Sequence, residues 1–417
     1  MTGETIDALF TGMLASGEGV SDLLFVPGKP PLVEIHGRLH DFPIDTPGSV
    51  LTPALIEGLA NHMINGSERL RKDFAATGAC DCSYAIADLA RFRVNVFRQN
   101  GRYSVVMRKL ESEVPTLDKL GLPPIFRDII KEKNGIVLVT GGTGTGKTTT
   151  LAAMINELNQ REEIHILTLE DPIEFFHGHG KAAISQRELG KDFPSFADGL
   201  RSALRQAPKV ILVGEIRDRE TLDIAMTASE TGHLVFSTLH TVNAGQTISR
   251  ILGMYSREEE QQVRQRLAES LRYIVSQRLV TKIGGGRLLV TEIMGTSLRT
   301  RESITYGEAE NRTFQEIIEA GSTLGWHSFD QSLMRAFESG IVSEESVMLY
   351  CNNKTRMRRD LDSVLKARGE TVGESLSGLK LHVPDEFKQS ADSAEPKPIT
   401  RTFQPRPKPA PAAVEQS

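Results

Sequence analysis

The chain has 417 residues, of which 39% are hydrophobic and 25% are charged, and its formal net charge is −5. This length leaves room for two or three globular domains, and the composition excludes a fibrous protein. The negative net charge gives no overall attraction to nucleic acid or to anionic lipid. Three cysteines, Cys80, Cys82 and Cys351, make neither a C-x-x-C pair nor a set of four for zinc, which indicates a reduced, cytosolic compartment.

The N-terminal residues, Met1 to Phe10, lack a basic region followed by an apolar core, and no stretch approaches about 20 uninterrupted apolar residues. We therefore expect a chain that is neither exported nor inserted into a membrane. Docking onto a membrane protein stays open.

Helical and strand-like patterns alternate over residues 1–110. Apolar residues at helical spacing predict packing helices around Ile6 to Leu14 and Leu55 to Ile64. Strand-like segments bounded by turn residues are Asp22 to Val26, Leu32 to His36, Cys82 to Ala87, Arg91 to Phe97 and Tyr103 to Arg108. Together they predict a small α+β domain. In the fourth segment Phe92, Val94 and Val96 share one face, so Arg93 faces the other way and is free for a role outside the core.

A linker over residues 111–125 is predicted from Gly121 and two prolines, and a second domain over residues 126–368 follows it. This domain contains four short β-rich runs separated by helix-sized segments, the pattern of a parallel sheet covered by helices. The runs are Ile136 to Thr140, Ile164 to Leu169, Val210 to Val213 and Leu234 to Ser237.

Ser256 and Glu259 form a capping box that predicts a long helix continuing through Leu267, Leu271, Ile274 and Val275, with a helical end portion to about Ala367. Beyond it, seven of the chain's 19 prolines lie between Thr371 and Ser417, among few large apolar residues. This composition predicts a disordered tail over residues 369–417.

The run Gly141-Gly142-Thr143-Gly144-Thr145-Gly146-Lys147-Thr148 directly follows an apolar strand and fits G-x-x-x-x-G-K-[ST]. In such a loop the backbone N–H groups and the positive end of the next helix bind phosphate. Lys147 is expected to reach the β and γ phosphates, and Thr148 to offer its hydroxyl to Mg²⁺. With Thr149, these residues predict a binding site for ATP.

Polar residues follow each of the three later strands: Glu170-Asp171, Gly214-Glu215 and Thr238-Leu239-His240. A doubly wound sheet binds its ligand beyond the carboxyl ends of its strands. ATP hydrolysis requires a metal ion that neutralises phosphate charge and a group that orients or deprotonates water. Glu170 and Glu215 are the candidates for these two tasks.

Four motifs in order now carry a resemblance. The phosphate loop is followed by Leu167 to Phe175, similar to an aspartate box, by Val210 to Asp218, similar to a Walker B motif, and by Thr231 to Thr241, similar to a histidine box. From Thr5 to Leu365 the chain resembles the secretion ATPases that drive type IV pili, in particular the PilT/PilU retraction group. The resemblance implies a RecA-like P-loop core with a parallel sheet, preceded by a small PAS-like α+β domain.

The resemblance also implies roles for individual residues. Glu170 matches the water-activating glutamate and Glu215 the carboxylate that holds Mg²⁺ through water, although the reverse assignment stays open. His233 and His240 match a pair that senses phosphate and signals between subunits. Arg93 and Arg108 match arginines that reach the nucleotide phosphates when the two domains close.

By the same resemblance, the chain forms a cytoplasmic homo-hexamer, alone or mixed with a paralogous retraction ATPase, that acts at the pilus base on an inner-membrane platform protein. The missing four-cysteine insertion and extra N-terminal domain favour retraction over assembly motors. Ala207, the segment Trp326 to Leu333 and the lack of a PilT-like motif near Leu298 to Ile304 are nearer to PilU. The alternatives are a PilU-type regulatory subunit and an ATPase of type II secretion or conjugation.

Overall fold

The structure is a computed structural model that describes residues 2–87, 89–111 and 113–369. The predicted tail therefore lies outside the described residues, apart from Gly369. The helices are α1 (Gly3–Leu14), α2 (Pro53–Ile64), α3 (Glu68–Thr77), α4 (Phe126–Ile129), α5 (Lys147–Arg161), α6 (Phe196–Ala203), α7 (Arg219–Glu230), α8 (Ala244–Leu252), α9 (Arg257–Ser270), α10 (Leu298–Tyr306), α11 (Phe314–Ala320), α12 (Phe329–Glu338), α13 (Glu344–Tyr350) and α14 (Lys354–Ala367). The strands are β1 (Val20–Phe25), β2 (Leu32–Ile35), β3 (Arg38–Asp41), β4 (Ala79–Ile86), β5 (Ala90–Gln99), β6 (Arg102–Leu110), β7 (Gly135–Thr140), β8 (His165–Glu170), β9 (Ala183–Glu188), β10 (Val210–Val213), β11 (Leu234–Leu239), β12 (Leu271–Thr281) and β13 (Arg287–Gly295).

Strands β1 to β6 form an antiparallel sheet in the order β3-β2-β1-β6-β5-β4. Phe92, Val94 and Val96 on β5 are fully buried against the helices, as their alternation predicts, and Arg93 is exposed on the opposite face. The predicted α+β character of this part is confirmed. Strand β3 and helix α3 were not predicted from the sequence, because every residue of β3 is exposed and α3 buries only Leu70 and Phe74.

The second sheet has the order β13-β12-β7-β11-β10-β8-β9. Adjacent strands in it are parallel, except in the antiparallel β12–β13 hairpin. Helices cover both faces. In β7, Ile136 and Leu138 belong to one buried cluster, whereas Val137 and Val139 belong to the cluster on the other face. Both faces of β7 are buried, which explains why its sequence is a continuous apolar run rather than an alternating one. This confirms the predicted RecA-like parallel core.

The long helix predicted from Ser256 is only partly correct. The capping box is present, but α9 ends at Ser270 and the residues from Leu271 form β12. Ile274 and Val275 suit both periodicities, and the structure buries them on opposite faces of the sheet. Pairing with β7 and β13 gives the backbone of these residues two hydrogen-bonded neighbours, and this tertiary context overrides the helical spacing.

The C-terminal part of the described chain is helical from α10 to α14. Before α4, the segment predicted as a linker packs against the second sheet, because Leu117 and Leu122 are buried in the cluster that contains Val137. Among the described residues, no helix is both long and apolar enough to cross a membrane.

Candidate nucleotide site

The glycine-rich loop connects the end of β7 to the first turn of α5, and its backbone requires glycine at two positions. Gly141 has φ +147°, and a Cβ there would lie 2.7 Å from the carbonyl oxygen of Gln277. Gly146 caps α5 with φ +87°, in the left-handed region. A side chain at either position would strain the loop or collide with β12. The loop therefore stays curved, and the N-terminus of α5 faces the cavity that the loop lines.

Lys147 is the first residue of α5 and is only 8% exposed. Its Nζ donates to the carbonyl oxygens of Gly141 and Gly142 at 3.0 and 2.9 Å, and the Thr145 hydroxyl donates to Gly142 at 2.9 Å. Burial lowers the pKa of Lys147, and the carboxylates of Glu215 and Glu174 oppose this shift. Gly141, Gly142 and Thr145 thus stabilise the shape of the loop through these hydrogen bonds.

A cavity of about 950 Å³ opens in front of the loop. Both sheets contribute to its walls. The loop and α5 supply Thr143, Gly144, Gly146, Lys147, Thr148 and Thr149, the strand ends supply Glu170, Asp171, Glu215, Thr238 and His240, and the N-terminal sheet supplies Asp22, Asp81, Arg93 and Arg108. Of the predicted site residues, only Gly141, Gly142, Thr145 and His233 do not line it. A molecule bound there would touch the phosphate loop and the N-terminal arginines together.

Glu170 ends β8 with its side chain buried. Its Oε1 accepts hydrogen bonds from the Thr168 hydroxyl at 2.7 Å and from Gln186 Nε2 at 3.1 Å. Burial raises the pKa of Glu170, while the hydrogen bonds from Thr168, Gln186 and the Glu174 backbone oppose the shift. A carboxylate with a raised pKa at the edge of a cavity is suited to accept a proton from water.

Glu215 follows β10 and is half-buried. It forms an ion pair with Arg217, and its Oε2 lies 3.6 Å from His240 Nε2. His240 directly follows β11 and is exposed. A movement of its imidazole ring would therefore act on the Glu215 carboxylate directly. Glu170 and Glu215 therefore differ in environment, since one is hydrogen-bonded to neutral groups and the other is paired with a cation.

Arg93 and Arg108 project from the polar face of the N-terminal sheet, where they are direct partners across β5 and β6. Arg108 Nε donates to Asp22 Oδ1 at 2.9 Å, and Asp22 is buried. The charge of Arg93, together with that of Arg217, opposes the rise that burial causes in the pKa of Asp171. Positive charge from the first sheet thus reaches the strand-end carboxylates of the second.

His233 lies away from this cavity. It precedes β11, at the end of the sheet opposite the loop, and its Nδ1 is 2.9 Å from the carbonyl oxygen of Ala228. The six residues of β11 separate it from His240, which corresponds to about 20 Å along an extended strand. The structure brings His240 to the loop and does not bring His233 there.

Three residues near the site were not identified from the sequence. Asp22 carried a weak signal, as an acid within an otherwise apolar strand. Gln186 lies on β9, a polar edge strand that the sequence analysis did not predict. Arg91 is one position from a core residue, and nothing in its neighbours distinguishes it from a surface arginine.

The phosphate loop, the parallel sheet and the strand-end carboxylates define a P-loop ATPase of RecA-like fold. Residues 83–302 match the Type II/IV secretion system protein family. The type IV pilus retraction ATPase PilT of Pseudomonas aeruginosa is 41% identical over 329 residues, which cover 79% of this chain and 93% of PilT. The type IV pilus ATPase PilU of the same organism is 35% identical over 374 residues, covering 88% of this chain and 95% of PilU.

The crystal structure of the pilus retraction motor PilT with bound ADP superposes with a TM-score of 0.75 and 37% identity, covering 85% of this chain and 99% of that one. The chain therefore belongs to the PilT/PilU type of pilus retraction ATPase within the secretion ATPase family. It is a nucleotide-binding enzyme that hydrolyses ATP.

Proposed function

We propose that this chain is a hexameric motor that couples ATP hydrolysis to type IV pilus retraction, the movement behind twitching motility. One observation carries the proposal: the phosphate loop and the arginines of the N-terminal sheet line the same cavity. A nucleotide held between two sheets moves one relative to the other as it binds and is hydrolysed. The relationship to PilT supplies the task that this movement performs.

Within the site, the backbone of Gly141 to Thr149 binds the phosphates and Lys147 neutralises the β and γ charge. Glu170 activates the attacking water, for which burial and a raised pKa suit it. Arg93 and Arg108 contact the γ-phosphate. His240 detects whether that phosphate is present, and His233, at the other end of β11, passes the signal towards a neighbouring subunit. Glu215 is less suited as the base, because Arg217 pairs with it.

Mg²⁺ fits the oxygen donors of this site. The Thr148 hydroxyl and the Glu215 carboxylate both line the cavity, and Mg²⁺ usually takes one or two protein oxygens together with phosphate oxygens and water. No cluster of three or more acidic, histidine or cysteine residues in the described part of the chain could hold a metal on its own. This agrees with an ion that enters with the nucleotide and neutralises phosphate charge there.

The moving parts are residues 1–110 and 126–368, joined by the linker at 111–125. Six copies form a ring, alone or mixed with a paralogous retraction ATPase, in the cytoplasm at the base of the pilus. There the ring acts on an inner-membrane platform protein without inserting into the membrane. Nucleic acid is not a partner, since a net charge of −5 provides no attraction to phosphate backbones.

A second candidate is an accessory subunit of the PilU type, which joins a partner's ring and binds nucleotide without productive turnover. The similarity to PilU supports it, because that match extends over 374 residues. Intact Lys147, Glu170 and Glu215 favour a catalytic subunit instead.

Steady-state ATPase measurements on the purified chain, followed by microscopy of pili in a deletion strain, distinguish the candidates. The strain is complemented with the wild type, with Lys147→Ala, or with Lys131→Ala as a matched surface control, since Lys131 is exposed and pairs with the exposed Asp128. Turnover by the isolated chain, with retraction lost only for Lys147→Ala, supports the motor. A chain without turnover supports the accessory subunit, and normal retraction in the deletion strain overturns the pilus assignment.

A further inference from the structure

Glu170 is held by a glutamine on the neighbouring strand. Strands β8 and β9 are parallel, with Thr168 opposite Gln186 and Glu170 opposite Glu188. Alternation along each strand places all four side chains on one face of the sheet. Gln186 is half-buried there.

The side-chain amide of Gln186 is hydrogen-bonded through both its nitrogen and its oxygen. Its Nε2 donates to Glu170 Oε1 at 3.1 Å and to the Phe175 carbonyl oxygen at 2.9 Å. Its Oε1 accepts from the His177 backbone N–H at 2.9 Å. Gln186 therefore joins the carboxylate of Glu170 to the loop at residues 171–177, which follows it in the chain.

Three donors hold the Glu170 carboxylate, namely the Thr168 hydroxyl, the Gln186 amide and the Glu174 backbone N–H. They belong to different parts of the protein. Thr168 is two residues away on the same strand, so its hydroxyl moves with Glu170 itself. Glu174 belongs to the loop and its backbone hydrogen-bonds Glu170 directly, whereas Gln186 is bonded to both the loop and Glu170 from the neighbouring strand β9. Gln186 is therefore a side-chain connection between the position of the loop and the orientation of Glu170.

The same loop is held from its other side by the N-terminal sheet. Arg91 on β5 donates from Nη2 to the Ile173 carbonyl oxygen at 2.7 Å, and its guanidinium carbon lies 3.8 Å from the centre of the Phe176 ring. Glu188 strengthens the connection, because it accepts from the Ile173 N–H at 3.3 Å and from the Ser83 hydroxyl of β4 at 2.9 Å. The loop thus forms hydrogen bonds with both sheets.

We propose that Gln186 is a positioning residue for Glu170, and that Arg91 makes this positioning depend on where the N-terminal sheet lies. The inference rests on the proposed role of Glu170 in activating water. While Arg91 holds the loop, Gln186 keeps Glu170 directed into the cavity. When the N-terminal sheet moves away, the loop is released and Glu170 loses its alignment, so that hydrolysis is confined to the arrangement in which both sheets surround the nucleotide.

The first test is Gln186→Met in the full chain, which keeps the side-chain length and removes its three hydrogen bonds. Because a hydrogen bond to a charged group is lost, kcat is expected to fall roughly ten- to a hundredfold. The KM for ATP should stay within about twofold, since the phosphate contacts are unchanged. Gln315→Met is the matched control, because Gln315 donates to Glu319 on the exposed surface of α11; its kcat should equal that of the wild type.

Arg91→Lys tests the connection to the N-terminal sheet, because lysine keeps the charge but lacks the planar fork. It should lower kcat with KM unchanged, and the double variant with Gln186→Met should be no slower than the slower single variant. Arg38→Lys on exposed β3 is the control. Additive losses from Gln186→Met and Arg91→Lys would overturn the coupling between them.

A third comparison separates this inference from the function on which it rests. If Glu170→Gln retains turnover, the role of Glu170 is wrong whatever Gln186 does. If Glu170→Gln reduces turnover to a low residual rate, adding Gln186→Met should leave that rate unchanged, and a further loss overturns the positioning role. Gln186→Asn keeps the amide but shortens its reach, so a kcat equal to the wild type in this variant also overturns it, even if the Met variant is unstable.

Discussion

Arg93 and Arg108 lie directly opposite each other on the neighbouring antiparallel strands β5 and β6. Like charges in this position repel each other, and Asp22, opposite Arg108 on β1, offsets part of the repulsion through its 2.9 Å ion pair. That ion pair uses the Nε of Arg108. Two guanidinium groups held side by side on one face form a preorganised site for a multiply charged anion, which relieves their repulsion when it binds.

Replacing Arg93 or Arg108 by alanine should therefore affect ATP turnover more than ADP binding. If these groups contact the γ-phosphate, kcat should fall roughly a hundredfold or more. The Kd for ADP should change by less than about threefold, because ADP lacks that phosphate. Steady-state rates and calorimetric ADP titrations measure the two effects, with Arg102→Ala, at the exposed first residue of β6, as the control. Equal losses for ATP and ADP would contradict the assignment.

Lys147→Ala and Glu170→Gln should inactivate the enzyme in different ways. The lysine variant loses the cation opposite the phosphates and should fail to retain nucleotide. The glutamine variant keeps its shape but has no base, so it should bind ATP and hold it unhydrolysed. Nucleotide extracted from each purified protein after incubation is identified by chromatography, with exposed Glu163→Gln as the control. Rapid conversion to ADP by Glu170→Gln would transfer the catalytic role to Glu215.

The fold was predictable where the local pattern and the tertiary environment agree. Strands β7, β8, β10 and β11 contain continuous apolar runs because both of their faces are buried, and such runs are recognisable in the sequence. Leu271 to Val275 was assigned wrongly because its residues suit two periodicities, and pairing with β7 and β13 decides between them. Strands β3 and β9 were missed because edge strands with exposed side chains carry little apolar signal. Strand β13 was also missed: it lies in the portion predicted to be helical, and its hairpin pairing with β12 decides its structure.

The site residues also fall into those that the sequence predicts and those that it does not. The phosphate loop and the strand-end acids are contiguous in sequence with the strands that present them, so the sequence alone brought them together. Gln186 and Arg91 act through backbone groups of residues 173–177, and no spacing along the chain encodes those contacts. His233 and His240 match one motif, yet they lie at opposite ends of β11. The reason is that the extended residues Leu234–Leu239 lie between them.

Acid should destabilise the protein through His327, which is 3% exposed. Its Nδ1 lies 3.0 Å from the Gly325 carbonyl oxygen and its Nε2 lies 2.8 Å from the Thr291 hydroxyl, so the neutral ring can use both nitrogens, with Nδ1–H donating and Nε2 accepting. Burial lowers the pKa of His327 from 6.5 to about 4, and the nearby Arg335 adds to the effect. The unfolded chain therefore binds this proton first as the pH falls.

The contribution of neutral His327 to the free energy of unfolding is consequently full above pH 6.5 and is lost between pH 6.5 and 4, by up to about 1.4 kcal/mol per pH unit. Urea unfolding at pH 5, 6 and 7 should show this slope in the wild type and a shallower slope in His327→Gln. Thr291→Val, which removes the hydrogen-bond partner and keeps the imidazole, should retain the slope. An unchanged slope in His327→Gln would exclude His327 as its source.

Ala207 occupies a backbone conformation that alanine tolerates poorly. It lies between α6 and β10 with φ +53° and is exposed. The turn is held on both sides, because the Gln206 carbonyl oxygen lies 3.0 Å from His165 Nδ1 and the Lys209 N–H donates to the His165 carbonyl oxygen at 2.8 Å. The strain is therefore not relieved by a local shift. Asparagine and aspartate visit the left-handed region more readily than alanine does.

Ala207→Asn should accordingly raise the free energy of unfolding by about 0.5–1 kcal/mol. Ala75→Asn, on the exposed surface of α3, makes the same chemical change in a helix and should lower it by about 0.6 kcal/mol, because asparagine is a poorer helix former. Urea unfolding of the three proteins at one pH measures both signs. Because Ala207 is exposed and not among the residues that line the cavity, kcat should stay at the wild-type value. A decrease in stability for Ala207→Asn similar to that for Ala75→Asn would show that the turn carries no strain at this position.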